Sequence, residues 1–145
     1  MSNQLIDVCD ERMMAHIEEA NNYWVARRVL ADIDWPDVTE TCYAPSMYVY
    51  LIGTVPAISL HVAIKSHVAW RDAMQAVHVI RRALGITRVT RRASGASQTY
   101  SGRNDQSPRC IIDVEISTSA LPPSCTIEYV TETRDVRIAK MVCAS

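Results

Sequence analysis

The residues best suited to bind a charged ligand are arginines in the second half of the chain. Between residues 81 and 109 there are seven arginines and one acid, Asp105, so this segment carries +6 although the whole chain carries −1. A guanidinium group is a planar donor that binds phosphate and carboxylate groups through two parallel hydrogen bonds. The pattern therefore predicts an anion-binding surface, to which Tyr100 adds a ring for stacking on a base. The candidate binding residues are Arg81, Arg82, Arg88, Arg91, Arg92, Tyr100 and Arg103.

Three interpretations of this charge remain open. The arginines bind a nucleic acid or a nucleotide, or they bind an acidic host protein, or they are structural and form ion pairs on a sheet surface. The third arises if the strand 86–93 pairs with the strand 110–117, because Arg88 and Arg92 then lie opposite Asp113 and Glu115. Two acids do not neutralise seven arginines, so positive charge is left over. The first forty residues, with nine acids and three arginines, are acidic enough to cover it.

Residue types used in catalysis are present without the spacing that catalysis needs. His61, His67 and His78 form no HxH, HxxxH or HExxH pattern, so no zinc site is predicted. The chain also lacks GxSxG, a Walker loop and GxGxxG. We therefore predict no catalytic residue, no metal and no cofactor. The alternative is an enzyme acting on a phosphate-containing substrate, with His61 or His78 as its base beside the arginines.

The five cysteines indicate neither a disulfide framework nor a zinc finger. Their number is odd and no CxxC is present, so we expect mostly reduced, buried side chains. Cys125 and Cys143 are a special pair, because a final hairpin that turns at about residue 134 places them opposite each other. Their Cβ atoms would then lie about 4.5–5.5 Å apart, and oxidation could join them.

Two helices are predicted from apolar residues that recur every three or four positions. The first runs from about 10 to 32 behind an Asp10 cap, and the second runs from a Ser66 cap to Gly85. We expect Trp24 and Trp70 to lie in the core and Trp35, in the acidic turn "DIDWPD", to be the most exposed aromatic residue. The first stripe is Met13, Ile17, Ala20 and Trp24, and the second is Trp70, Ala73, Val77, Ile80 and Leu84.

The remaining segments predict strands. "SMYVYLI" and "AISLHVAIK" indicate a hairpin, with Ile58, Leu60, Val62 and Ile64 on one face. "ITRVTRRA" and "CIIDVEIS" flank a Ser- and Gly-rich segment, 94–108, that we expect to be a mobile loop. "CTIEYVT" and "VRIAKMVC" form the final hairpin. We predict an α+β fold in a single domain, 1–145, with residues 1–9 flexible and two helices packed on a largely antiparallel sheet.

The arrangement over residues 45 to 143 resembles small uncharacterised accessory proteins of actinobacterial phages. The similar features are the short hairpin, a helix ending in "ALG", a strand with basic residues, and the final "SCTIEYVTETRDVRIAKMVC" hairpin. The resemblance implies a viral protein in the bacterial host cytosol and no particular activity. No signal sequence or membrane span is indicated, so we expect a cytoplasmic, non-enzymatic binding protein without a membrane partner, with a homodimer as one form to consider.

Overall fold

The computed structural model describes residues 4–106, 109–133 and 136–144. They form two helices and seven strands, which agrees with an α+β fold in one domain. No helix in this part of the chain is both long and apolar enough to cross a membrane. The elements are α1 (Gln4–Ala31), β1 (Ser46–Ile52), β2 (Val55–Ala63), α2 (Trp70–Ala83), β3 (Val89–Ser94), β4 (Ser97–Asn104), β5 (Ile111–Thr118), β6 (Cys125–Thr133) and β7 (Val136–Cys143).

Five strands form one sheet in the order β1-β2-β5-β4-β3, and β6 and β7 form a separate two-stranded sheet. Neighbours in the larger sheet are antiparallel, except that β2 and β5 run parallel. The expected hairpin of β1 and β2 is confirmed, with a two-residue turn in which Gly53 has a φ of 64°. The pairing of the strand 86–93 with the strand 110–117, on which the structural interpretation of the arginines depends, does not form, because β4 lies between them.

The segment 94–108 is mostly strand instead of a mobile loop. β4 takes up Ser97–Asn104 and follows β3 through a two-residue turn, with Ser94 paired to Ser97. Gly95 has a φ of 58° in that turn, and such a left-handed backbone matches the twist of a tight hairpin. Residues 107–108 lie outside the described part of the chain.

The core lies between the larger sheet and the helices. The face of β2 predicted to be apolar is buried, as are Ala73, Val77 and Ile80 of α2 and Leu84 directly after it, while Trp70 is half-buried. α2 begins at Trp70, after Ala69, and has no side-chain cap, so the Ser66 cap is wrong. Its end is as expected. Gly85 has a φ of 67° and its N–H bonds the carbonyl of Arg82, while the N–H of Ile86 bonds that of Arg81, which is a Schellman motif.

The first helix departs most from prediction. α1 begins at Gln4, so residues 4–9 of the stretch expected to be flexible are helical; residues 1–3 lie outside the described part. Only Ala26 is buried, and the helix contacts β1 and β2. Trp24 is 61% exposed and is not a core residue, whereas Trp35 is half-buried against the core, the reverse of the expectation.

The hairpin of β6 and β7 confirms the predicted register. Cys125 pairs with Cys143, and the two form a disulfide with a Cα to Cα distance of 3.9 Å. These two residues are therefore not the thiols that the sequence suggested. Cys42 and Cys110 are buried thiols as expected, while Cys9 is exposed. The turn near residue 134 lies outside the described residues.

Candidate binding face of the sheet

Both helices pack on one face of the five-stranded sheet, and the opposite face carries polar and aromatic side chains. We call this opposite surface the open face. Its members follow from strand alternation and from the register, because directly paired residues lie on the same face. The open face comprises Tyr48 and Tyr50 of β1, Ser59 and His61 of β2, Asp113, Glu115 and Ser117 of β5, Thr99, Ser101 and Arg103 of β4, and Thr90 and Arg92 of β3.

One half of the open face is a shallow cavity between β3, β4 and β5. Its volume is about 490 Å³, and Arg88, Arg103, Asp113 and Glu115 are among the residues that line it. Arg88 precedes β3 and is exposed. Thr90 and Ser101, which carry hydroxyl groups, also line it. The cavity is therefore polar and contains two guanidinium groups and two carboxylates.

Arg103 and Asp113 form the best-defined contact in this cavity. Nε of Arg103 donates to Oδ1 of Asp113 at 2.6 Å, its second nitrogen donates to Oδ2 at 3.0 Å, and the hydroxyl of Tyr50 also donates to Oδ2. Burial by itself raises the pKa of Asp113, but these hydrogen bonds outweigh burial and lower it. The contact with Asp113 raises the pKa of Arg103, and the hydrogen bond to Asp113 raises the pKa of Tyr50. The charge of Arg103 is thus largely neutralised within the protein.

Two arginines of the open face keep their charge available. Within the described residues, no carboxylate forms an ion pair with Arg88 or Arg92. Arg92 is exposed and pairs across the ladder with Thr99 of β4. These two side chains are therefore the free cations on this side of the sheet.

The other half of the open face is built around His61. The ring of Tyr48, which is 51% exposed, stacks on the imidazole with centroids 5.8 Å apart. Nδ1 of His61 lies 3.3 Å from Oε2 of Glu115, and Nε2 lies 3.2 Å from Oγ of Ser59. His61 and Glu115 also line a cavity of about 190 Å³ with Thr99 and Ser117. Since Glu115 belongs to both cavities, they join along β5.

Ser59, His61 and Glu115 contact one another in the order of a Ser–His–Glu catalytic relay. Their geometry instead favours a role in which Ser59 and Glu115 position the ring of His61. The side chain of Ser59 is buried, with 7% exposure, so a substrate carbonyl cannot reach its hydroxyl. β2 is hydrogen-bonded on both sides, to β1 and to β5. Its backbone N–H groups are used in the ladders and none is left near Ser59 to stabilise an oxyanion. The relay therefore fixes the ring plane of His61 and holds Tyr48 against it.

The predicted site residues do not converge on one surface. Arg88, Arg92 and Arg103 are on the open face. Arg81 and Arg82 are on α2; Arg81 donates to the carbonyl of Ile86 at 3.2 Å and lies 3.1 Å from Nδ1 of His78. His78 is also on α2 and therefore lies on the other side of the sheet from the arginines of the open face.

Arg91 and Tyr100 lie on the face that the helices cover. They are partners in the ladder of β3 and β4. Tyr100 is 7% exposed, its ring centroid is 6.5 Å from that of Trp70, and burial raises its pKa. Tyr100 is thus a core residue and cannot stack on a base. The aromatic group that can do so is Tyr48, which sequence reasoning missed, although the alternation in "MYVY" places both tyrosines on one face.

No group of three His, Cys, Asp or Glu side chains in the described part of the chain is arranged to hold a metal ion. Comparisons with known proteins find no matching family model, no similar curated protein and no similar solved structure.

Proposed function

We propose that the protein binds single-stranded nucleic acid across the open face and catalyses no reaction there. The observation that carries this proposal is the division of the sheet into a face covered by helices and a face that presents an exposed aromatic ring at one edge and two free arginines at the other. A ring that stacks on bases and cations that follow the phosphates are the two parts of a single-strand binding platform.

The distance between these parts favours an oligonucleotide over a single nucleotide. Tyr48 is on β1 and Arg92 is on β3, four strand positions away. At about 4.8 Å per position, their two strands are separated by about 19 Å across the sheet. A strand of several nucleotides reaches from the ring to the arginines, whereas one nucleotide contacts only one end.

The carboxylates on the open face favour nucleic acid over an acidic protein. Asp113 and Glu115 lie between the aromatic edge and the free arginines. Arg103 already neutralises Asp113, so Glu115 is the carboxylate here that repels an acidic partner, and Arg88 and Arg92 are the free cations among the described residues of this face that attract one. On a nucleic acid, carboxylates accept hydrogen bonds from the amino groups of cytosine and adenine. The mixture of charges therefore suits bases and phosphates together.

The test is the anisotropy of labelled oligo-dT and oligo-dC, titrated with the protein at several salt concentrations. Replacing Arg88 and Arg92 with alanine should weaken binding, because fewer phosphates are then neutralised. The salt slope should become shallower by about 0.7 for each single-strand phosphate that the variant no longer neutralises. Tyr48→Ala should cost about 1–3 kcal/mol of stacking, or about five- to 150-fold in affinity.

The chain offers a matched control for these variants. Arg91 is adjacent to Arg92 on the same strand and on the opposite face, so Arg91→Ala removes the same charge without touching the open face. If Arg91→Ala weakens binding as much as Arg92→Ala, the surface is wrong. Absence of binding at low salt contradicts nucleic-acid binding, and turnover of a phosphate ester would favour the enzyme alternative. The viral setting implied by the resemblance stays a prediction.

A further inference from the structure

The amino-terminal two thirds of α1 is not covered by the body of the described domain. Every residue from 4 to 21 is exposed. A 28-residue helix is about 42 Å long, and the domain supports only its carboxyl end. Isolated helical segments of this size are marginal in water and depend on packing of an apolar face. We therefore expect another surface to pack against the exposed part of α1 and stabilise it.

The helix has an apolar face that its own domain cannot cover. The seam residues repeat at intervals of seven, four, three and four. The interval of seven spans Asp10, so the narrow stripe of a coiled coil is continuous from Met13 to Trp24. At 100° per residue, Trp24 lies about 200° around the helix from the buried Ala26, so the seam faces away from the sheet. Its members are Ile6 (56% exposed), Met13 (56%), Ile17 (51%), Ala20 and Trp24 (61%).

The charges along α1 determine what fits this seam. Residues 4–19 carry five acids, in the stretches 7–11 and 18–19, and one arginine, Arg12, whereas residues 20–31 carry two arginines, Arg27 and Arg28, and no acid. A parallel second copy brings the acids at 7, 10 and 11 against the same acids. An antiparallel second copy whose facing positions sum to 30 removes the repulsion at 7 and 10, because these acids then face the uncharged positions 23 and 20. Anionic lipid is disfavoured, because interfacial helices carry mainly lysine and arginine on their polar face.

We propose that α1 pairs with α1 of a second copy as an antiparallel two-helix coiled coil. In the register where facing positions sum to 30, Met13 lies opposite Ile17 and Ile6 lies opposite Trp24. The two domains sit at opposite ends, on the outer sides of the helix pair. The pairing leaves both open faces uncovered and does not depend on what they bind.

The first experiment measures mass by light scattering and sedimentation over a range of concentrations. We expect the full chain to have twice its 16.2 kDa mass at high concentration. Met13→Glu puts a charge in the seam and should raise the dimer dissociation constant at least about tenfold. Met14→Glu is the matched control, since Met14 is equally exposed, at 58%, and lies about 90° from the seam. It should leave the dimer intact.

The second experiment determines orientation by disulfide formation. Cys9 is exposed and lies next to Asp10, the position that faces residue 20 in the proposed register. Ala20→Cys should therefore give a covalent dimer on mild oxidation, whereas the unaltered chain should give none, because two Cys9 side chains meet only in a parallel pair. A monomer at all concentrations, equal weakening by Met13→Glu and Met14→Glu, or crosslinking through Cys9 alone would each overturn the proposal.

Discussion

Reduction of the Cys125–Cys143 disulfide should loosen the final hairpin and leave the five-stranded sheet folded. The bond joins residues 18 apart in the sequence, and closing a loop of this size stabilises the folded state by about 3 kcal/mol in the chain-entropy model. Within the described strands, β6 and β7 hydrogen-bond only to each other, and β7 touches β3. A lone hairpin is marginally stable in water, so the disulfide supplies much of what keeps it closed.

Hydrogen exchange followed by mass spectrometry tests this directly. A loss of about 3 kcal/mol corresponds to about a hundredfold faster exchange for hairpin amides such as those of Ile127 and Tyr129, since each 1.4 kcal/mol is a factor of ten. Amides of β2 and β5 should be unaffected. A Cys9→Ser variant, reduced in the same way, shows that the exposed thiol plays no part. Unchanged hairpin exchange, or acceleration of the whole sheet together with the hairpin, would refute the reasoning.

Two further substitutions test how the open face is held together. Gly102→Ala should destabilise the protein by about 1–3 kcal/mol in urea unfolding, because an added Cβ lies 3.0 Å from the backbone oxygen of Arg88 and 2.6 Å from Cγ2 of Ile86; an unchanged midpoint would show that the two strands adjust freely. Asp113→Asn should cost about 1 kcal/mol at neutral pH, since its partner Arg103 is half exposed. Because folding lowers the pKa of Asp113, this contribution is fully present above the unfolded pKa of about 3.9 and is lost as pH falls through the lower folded value, so the variant and the unaltered chain should converge in acid and nowhere else.

Sequence patterns correctly predicted those helices, strands and turns that are determined by residues close together in the sequence. The alternation from Ile58 to Ile64 gives β2 and its buried face, and Gly85 ends α2 because only a left-handed residue fits the Schellman motif there. The register of Cys125 and Cys143 follows from a short hairpin, in which pairing is set by the turn. All three depend on contacts between residues close in sequence.

The misassigned segments depend on distant partners. β4 is rich in serine, threonine and glycine, which indicate a loop, and it is a strand because β3 and β5 pair with it on both sides. The apolar spacing in α1 correctly predicted a helix. The spacing does not show which part of the protein covers the apolar residues, and Trp24, predicted to lie in the core, is exposed. The parallel contact of β2 with β5 joins residues more than fifty positions apart and leaves no local signal.

The position of β4 also decides what the arginines can do. If β3 paired with β5, Arg88 and Arg92 would face Asp113 and Glu115, and ion pairs would account for them. Insertion of β4 moves β3 one strand position further away, about 4.8 Å, and puts Arg103 directly opposite Asp113. Asp113 therefore neutralises Arg103, and Arg88 and Arg92 remain unpaired within the described residues. The hydroxyl-bearing side chains of β4 separate these two arginines from Asp113 and Glu115. A single change of strand order thus turns a self-neutralising surface into one with free cations, which is why the binding hypothesis is attached to Arg88 and Arg92 and the structural one to Arg103.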